Sequence, residues 1–269
     1  IEVTLPDGRI LSGKTDKNGY YLIDEPLELL GNLTNEEGWL NYEISYADSK
    51  LKHEIQNENR FPGELLIPSK NAKYGVISDI DDTILHTGVV SSLKWRVIFN
   101  TFFKSAEKRI PLEGAAELYH LLHRGRSGEE ANPIFYVSHS PWNLYRYLEL
   151  FLTGNNFPKG PILLRSFSDF RKRKHEKPQK QTEVVNILKT YPDLSFILIG
   201  DSGEKDADIY IEISEEYPKQ IAAIYLRSVN HKSKMIRIRK LIETHKTTPI
   251  LVVDKSEDAI MHAKEHGFI

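Results

Sequence analysis

The chain contains no cysteine. That removes disulfide staples, thiolate zinc sites and cysteine nucleophiles together, and it fits a reducing compartment, so a cytoplasmic protein is expected. No apolar run approaches the roughly 20 residues that cross a bilayer, and no charged-then-apolar leader opens the sequence. Residue 1 is Ile rather than Met, so a further N-terminal segment is expected. Charge of one sign is lacking as well: 36 basic residues stand against 38 acidic ones, a net charge of -2. No overall field recruits nucleic acid or a membrane; no nucleic-acid partner is expected, and membrane contact would need a local patch. What remains is an ordinary globular composition, 40% hydrophobic and 28% charged over 269 residues. That length holds one large domain or two smaller ones.

Two rhythms divide the chain. In residues 1–72, Leu40, Tyr42, Ile44 and Tyr46 alternate with Asn41, Glu43 and Ser45, the period-2 mark of a half-buried strand. Leu51, His53 and Ile55 repeat the pattern. Turn signals at Pro6-Asp7-Gly8, Gly31-Asn32 and Pro62-Gly63 separate short strands, which predicts a small all-β sandwich without chemistry of its own. From residue 73 to 269, short apolar runs at 74–80, 134–137, 162–164, 196–199, 221–226 and 250–253 alternate with helical segments. That alternation predicts an α/β domain with a parallel sheet covered by helices on both faces. Its ligand site belongs beyond the carboxyl ends of the strands.

Polar residues cluster where that rule places them. The first run ends in Asp79-Ile80-Asp81-Asp82-Thr83. Residues two apart in extended chain point the same way, so Asp79 and Asp81 offer two carboxylates to one spot. Such neighbours repel unless a cation or a proton intervenes, and Mg²⁺ is the natural hard, oxygen-seeking mediator. A calcium loop would need further ligands, which Ile84 and Leu85 do not supply. The second run ends in Ser138-His139-Ser140-Pro141, read as an N-cap (Ser140) and first helical turn (Pro141), with amides and hydroxyls available to an anion. The fourth run ends in Gly200-Asp201-Ser202-Gly203-Glu204-Lys205-Asp206, which returns two more carboxylates to the same edge. Lys180 opens an amphipathic stretch, but six basic residues fall within 171–180, and spacing alone does not choose Lys180 over Lys177. Together these groups suit phosphoryl transfer: a carboxylate to attack phosphorus, another to protonate the leaving group, and cations to balance charge.

The four elements in this order resemble the haloacid dehalogenase signature of DxDxT, Ser, Lys and GDxxxxD. The stretches FPGELLIP at 61–68, YGVISDIDDTI at 74–84, YVSHSPWNLY at 136–145 and FILIGDSGEKDADIY at 196–210 sharpen this. Together they resemble the actin-patch phosphatidate phosphatase family and its bacterial relatives. The resemblance implies a haloacid dehalogenase-like sheet with little or no cap, and a Mg²⁺-dependent phosphatase working through an aspartyl-phosphate. It implies Asp79 as nucleophile and metal ligand, and Asp81 as general acid/base, binding metal through its backbone carbonyl. Ser138, Lys180, Thr83 and His139 would hold the phosphoryl group, and Asp201 and Asp206 would complete the metal set. Relatives often carry His before the lysine and Asn between the serines, where this chain has Gln179 and His139.

The implied substrate is phosphatidate at a membrane surface; the same mechanism on a phosphoprotein, a nucleic-acid end or a small metabolite is the alternative. A phospho-accepting signalling or binding domain is the alternative from another class. One segment favours lipid. In 92–109, Trp95, Ile98, Phe99, Phe102 and Phe103 share a helical face flanked by basic residues. That pattern suits peripheral membrane contact, and equally a helix covering the sheet.

Overall fold

A computed structural model describes residues 1–17, 19–47, 55, 57–81, 83–84, 113–165, 177–203, 205–229 and 231–269. It separates into two compact units, Ile1–Lys70 and Asn71–Ile269. The 92–109 segment, residues 51–54 of the second alternating stretch and the basic residues 171–174 lie outside the described residues.

In the first unit, strands β1 (Glu2–Thr4), β2 (Ile10–Ser12), β3 (Trp39–Ser45) and β4 (Phe61–Leu66) form one antiparallel sheet in the order β2-β1-β3-β4. Leu40 is fully buried while Asn41 is exposed, as the alternation requires. Val3, Leu5 and Leu40 form the buried centre, and partly buried Ile1, Leu11, Tyr21 and Ile44 pack around it. Of the sandwich expected here, the described residues supply a single sheet.

The second unit holds a six-stranded sheet, every neighbouring pair parallel. Its strands are β5 (Tyr74–Ser78), β6 (Ile134–Pro141), β7 (Ile162–Arg165), β8 (Ser195–Asp201), β9 (Ile221–Arg227) and β10 (Ile250–Val253). Their order is β10-β9-β8-β5-β6-β7. Each of the six apolar runs became a strand, because chain buried on both faces is apolar at every position. Helices α1 (Ala115–Arg124), α2 (Tyr145–Gly154), α3 (Gln179–Thr190), α4 (Asp206–Glu216), α5 (Lys232–Thr244) and α6 (Ser256–Glu265) follow or connect them.

Side chains alternate between the two faces of the sheet. Val76, Ile197, Ile199, Ala223, Tyr225 and Val253 share one core cluster with Leu118 and Leu122 of α1, Leu148 and Phe151 of α2, and Ala259 and Ala263 of α6. The intervening Ile77, Leu198, Ile224 and Leu226 are fully buried too, and α3 and α4 pack against β6, β8 and β9. Each such aliphatic side chain contributes about 1.5–3 kcal/mol of burial.

The edge that matters is the central one. Strand order reverses at β5, which pairs with β8 on one side and β6 on the other. The start of β5 is pinned by a residue that no local pattern marks. Buried Asn132 accepts hydrogen bonds from the amides of Lys73 (2.8 Å) and Tyr74 (3.3 Å) and donates one to the Leu122 carbonyl (3.0 Å). At the other end the Asp79 amide donates to the Ile199 carbonyl at 2.8 Å, so pairing carries Asp79 to the mouth of the sheet.

Candidate active site

Two strand ends and a helix start converge there. Asp79 follows β5, Asp201 ends β8, and Asp206 opens α4. One carboxylate oxygen of each lies within 4.8 Å of the other two, and all three side chains are buried. The Gly200-to-Asp206 turn is shaped by a close approach: a Cβ at Gly200 would stand 2.6 Å from Asp206 Oδ2 and 2.7 Å from the Tyr210 ring. The Asp201 amide donates to Asp206 Oδ2 (3.3 Å), and the Gly203 amide to Asp201 Oδ1 (2.5 Å).

Lys180, near the start of α3, is 1% exposed and spans the cluster. Its Nζ donates to Asp79 Oδ1 at 2.7 Å and to Asp206 Oδ1 at 2.6 Å. Lys177 is exposed and pairs with Glu212 (3.3 Å) and Glu216 (3.2 Å) instead, so geometry separates two lysines that spacing left equivalent.

Burial pushes the Asp79 carboxyl well above the usual carboxylate range; Lys180 pulls it back, and Asp206 and Asp81 push it up again. Burial pulls Lys180 downward, but Asp206 and Asp79 outweigh that and hold its ammonium well above its ordinary range. Among the described residues, one buried ammonium stands against three buried carboxylates, and burying charge without enough counter-charge costs several kcal/mol per ion. The donor set is all oxygen, the chemistry that hard divalent cations select. The triad can hold a metal ion.

The second motif behaves differently from its local reading. Strand β6 continues through Pro141, and a short 3₁₀ turn, Trp142–Leu144, precedes α2. Ser140 is therefore not an N-cap. Its amide donates to Ser138 Oγ (2.9 Å), while the Ser138 and Ser140 hydroxyls donate to Asp81 Oδ2 at 2.7 and 3.3 Å. A carboxylate 59 positions away in sequence outcompetes the helix start, since hydrogen bonds to charged groups are the stronger ones.

Thr83 is buried and donates to Asp79 Oδ2 at 3.2 Å. His139 is half-buried; burial first, then the Lys180 charge, lower its pKa to about 4, so the ring is uncharged at neutral pH.

Two supporting residues carry no sequence signal. Ser78 Oγ donates to the Asp79 carbonyl (2.7 Å) and meets the Tyr119 hydroxyl at 2.5 Å, both groups being buried. They fix the backbone that presents the Asp79 carboxylate. Only a polar residue inside an apolar run, which Ser78 is, could have drawn notice.

Residues 74–228 match the family described as phosphatidate phosphatase APP1, catalytic domain. The chain is 37% identical over 218 residues to phosphatidate phosphatase APP1 of Saccharomyces cerevisiae, covering 80% of this chain and 34% of that protein. It is 26% identical, with the same coverage, to an uncharacterized protein of Schizosaccharomyces pombe. The chain thus spans about a third of the length of the curated relatives it matches. A class C acid phosphatase from Bacillus anthracis, solved with tungstate bound, aligns at a TM-score of 0.36 and 16% identity over 56% of this chain and 65% of that one, a loose likeness. With more than half of its length matched, the chain belongs to the phosphatidate phosphatase APP1 catalytic-domain family.

Proposed function

We propose that this chain is a Mg²⁺-dependent phosphomonoester hydrolase of haloacid dehalogenase type, with little or no cap, that converts phosphatidate to diacylglycerol at a membrane surface. The observation that carries the reading is the meeting of Asp79, Asp201 and Asp206 at one sheet edge, with the Lys180 ammonium bridging Asp79 (2.7 Å) and Asp206 (2.6 Å).

In this reading an Asp79 carboxylate oxygen attacks phosphorus, and the bond from phosphorus to the ester oxygen breaks as an aspartyl-phosphate forms. Asp81 gives its proton to the departing diacylglycerol oxygen, then takes one from the water that attacks the aspartyl-phosphate. Inorganic phosphate leaves and Asp79 is restored. The Ser138 and Ser140 hydroxyls orient the Asp81 carboxyl for both transfers. Lys180 opposes the charge on the transferred oxygens, Thr83 holds the second Asp79 oxygen, and His139 offers a neutral ring. A divalent ion held by Asp79, Asp201, Asp206 and the Asp81 backbone carbonyl would add the positive charge that keeps Asp79 ionised and polarise the phosphoryl oxygens.

The hydrogen-bonded Asp81 favours turnover over a lasting phospho-aspartate. The direct test is phosphate release from phosphatidate with Mg²⁺, set beside a panel of phosphopeptide, nucleotide-end and sugar-phosphate substrates. Release from phosphatidate, lost with EDTA and in Asp79→Asn, is expected. A stable phospho-Asp79 without turnover, or preference for a water-soluble member of the panel, overturns the reading.

A further inference from the structure

Helix α5 carries a feature the catalytic reading does not use. Its sequence, KSKMIRIRKLIET, holds five basic residues and one acidic residue, Glu243, at its far end. Only Ile238 is fully buried. Ile236, by contrast, is 60% exposed. Residues three and four apart are neighbours on a helix surface, so Lys232, Arg239 and Lys240, all exposed, surround Ile236. Two other basic residues have partners within the chain: Arg237 pairs with Asp208 of α4 at the surface, and Lys234 Nζ donates to the Gly203 carbonyl at 2.5 Å.

The last contact places the helix. Gly203 belongs to the turn after β8, and its amide holds Asp201 Oδ1. The first turn of α5 therefore borders the loop of the acidic cluster. The exposed face that carries Ile236 is turned roughly 160° around the helix from Lys234, away from that loop.

We propose that this face is a docking surface for an anionic bilayer, with Lys232, Arg239 and Lys240 among the headgroups and Ile236 at the acyl boundary. The proposal rests on the lipid-substrate reading above and adds to it where the enzyme grips the surface. Charge complementarity favours this occupant: a basic ring around one exposed aliphatic residue is the pattern of a helix lying in an interface. No helix among the described residues is long and apolar enough to cross a membrane, so contact through them is lateral. Docking through this face would hold the chain at the leaflet that carries the phosphomonoester headgroup.

The test is co-sedimentation of the chain with phosphatidylcholine vesicles, with and without phosphatidylserine. Binding only to the anionic vesicles, weakening with salt, is expected. Each basic residue at such a surface is worth about fivefold in partitioning, so K232E/K240E should lose at least about 25-fold. Ile236→Asp should weaken binding too. Hydrolysis of p-nitrophenyl phosphate should be unchanged in both variants, which shows that they fold. Equal binding of K232E/K240E and the parent chain, equal binding to both vesicle types, or no vesicle binding alongside capture of duplex DNA overturns the proposal. Vesicle binding without phosphatidate hydrolysis in detergent micelles would leave the docking surface standing and remove the substrate reading. Hydrolysis in micelles without vesicle binding would do the reverse.

Discussion

The two units bury different things. Among the described residues, Ile1–Lys70 buries no polar side chain, and its centre is Val3, Leu5 and Leu40. Every buried polar or charged side chain among the described residues, from Ser78 and Asp79 to Ser256, lies in Asn71–Ile269. Burying a charge without a partner is costly, so sequences avoid it unless something is gained. The first unit has the burial of a domain selected to fold. The second tolerates a concentration of charge at one sheet edge, and that tolerance marks where chemistry belongs.

This contrast predicts which unit answers to which substitution. The largest effect is expected from Asp79→Asn, which should lower phosphatase activity by about 10⁴-fold or more while the circular dichroism spectrum stays native. Next is Lys180→Ala, which strips the counter-charge from two buried carboxylates. It should cost about 3–5 kcal/mol of stability in urea unfolding with EDTA present, and a stability unchanged from the parent would break the comparison. Gly200→Ala would drive Asp206 from its place and should reduce activity about 100-fold, the scale of a displacement near 1 Å. In the first unit, Leu40→Ala should cost about 2 kcal/mol. Hydrogen exchange should show that loss within residues 1–70, with phosphatase activity retained.

A pH dependence gives a further test. His139 titrates at about 4 in the folded chain, through burial first and the Lys180 charge second, against about 6.5 when unfolded. Between those values the unfolded chain binds the proton more, so stability rises with pH across the window and falls as pH drops through it. Urea unfolding from pH 4 to 7 should show a shallower slope in His139→Gln than in the parent chain.

Much of the second unit was legible because its signals are local. Strand after strand follows an apolar run, and the aspartates fall just after them because a parallel sheet aligns its carboxyl ends. The failures involve partners far apart in sequence. Ser-His-Ser-Pro reads as a helix start, and only the arrival of Asp81 turns both serines toward a carboxylate. Asn132 looks like a loop residue until Lys73 and Tyr74 donate to it from 59 and 58 positions away. Lys180 became distinguishable from Lys177 through burial, which a run of cations does not encode. In the first unit alternation located strands, but one apolar face cannot say whether a second sheet or loose loops will cover it.

The ammonium wedged between Asp79 and Asp206 has a consequence for how the molecule is made. Because the scaffold brings a counter-ion of its own, two of the three clustered carboxylates keep a positive partner whether or not a cation is bound. On the proposed Mg²⁺-dependent reading, chains would fold before the ion arrives, and its supply would set when they switch on.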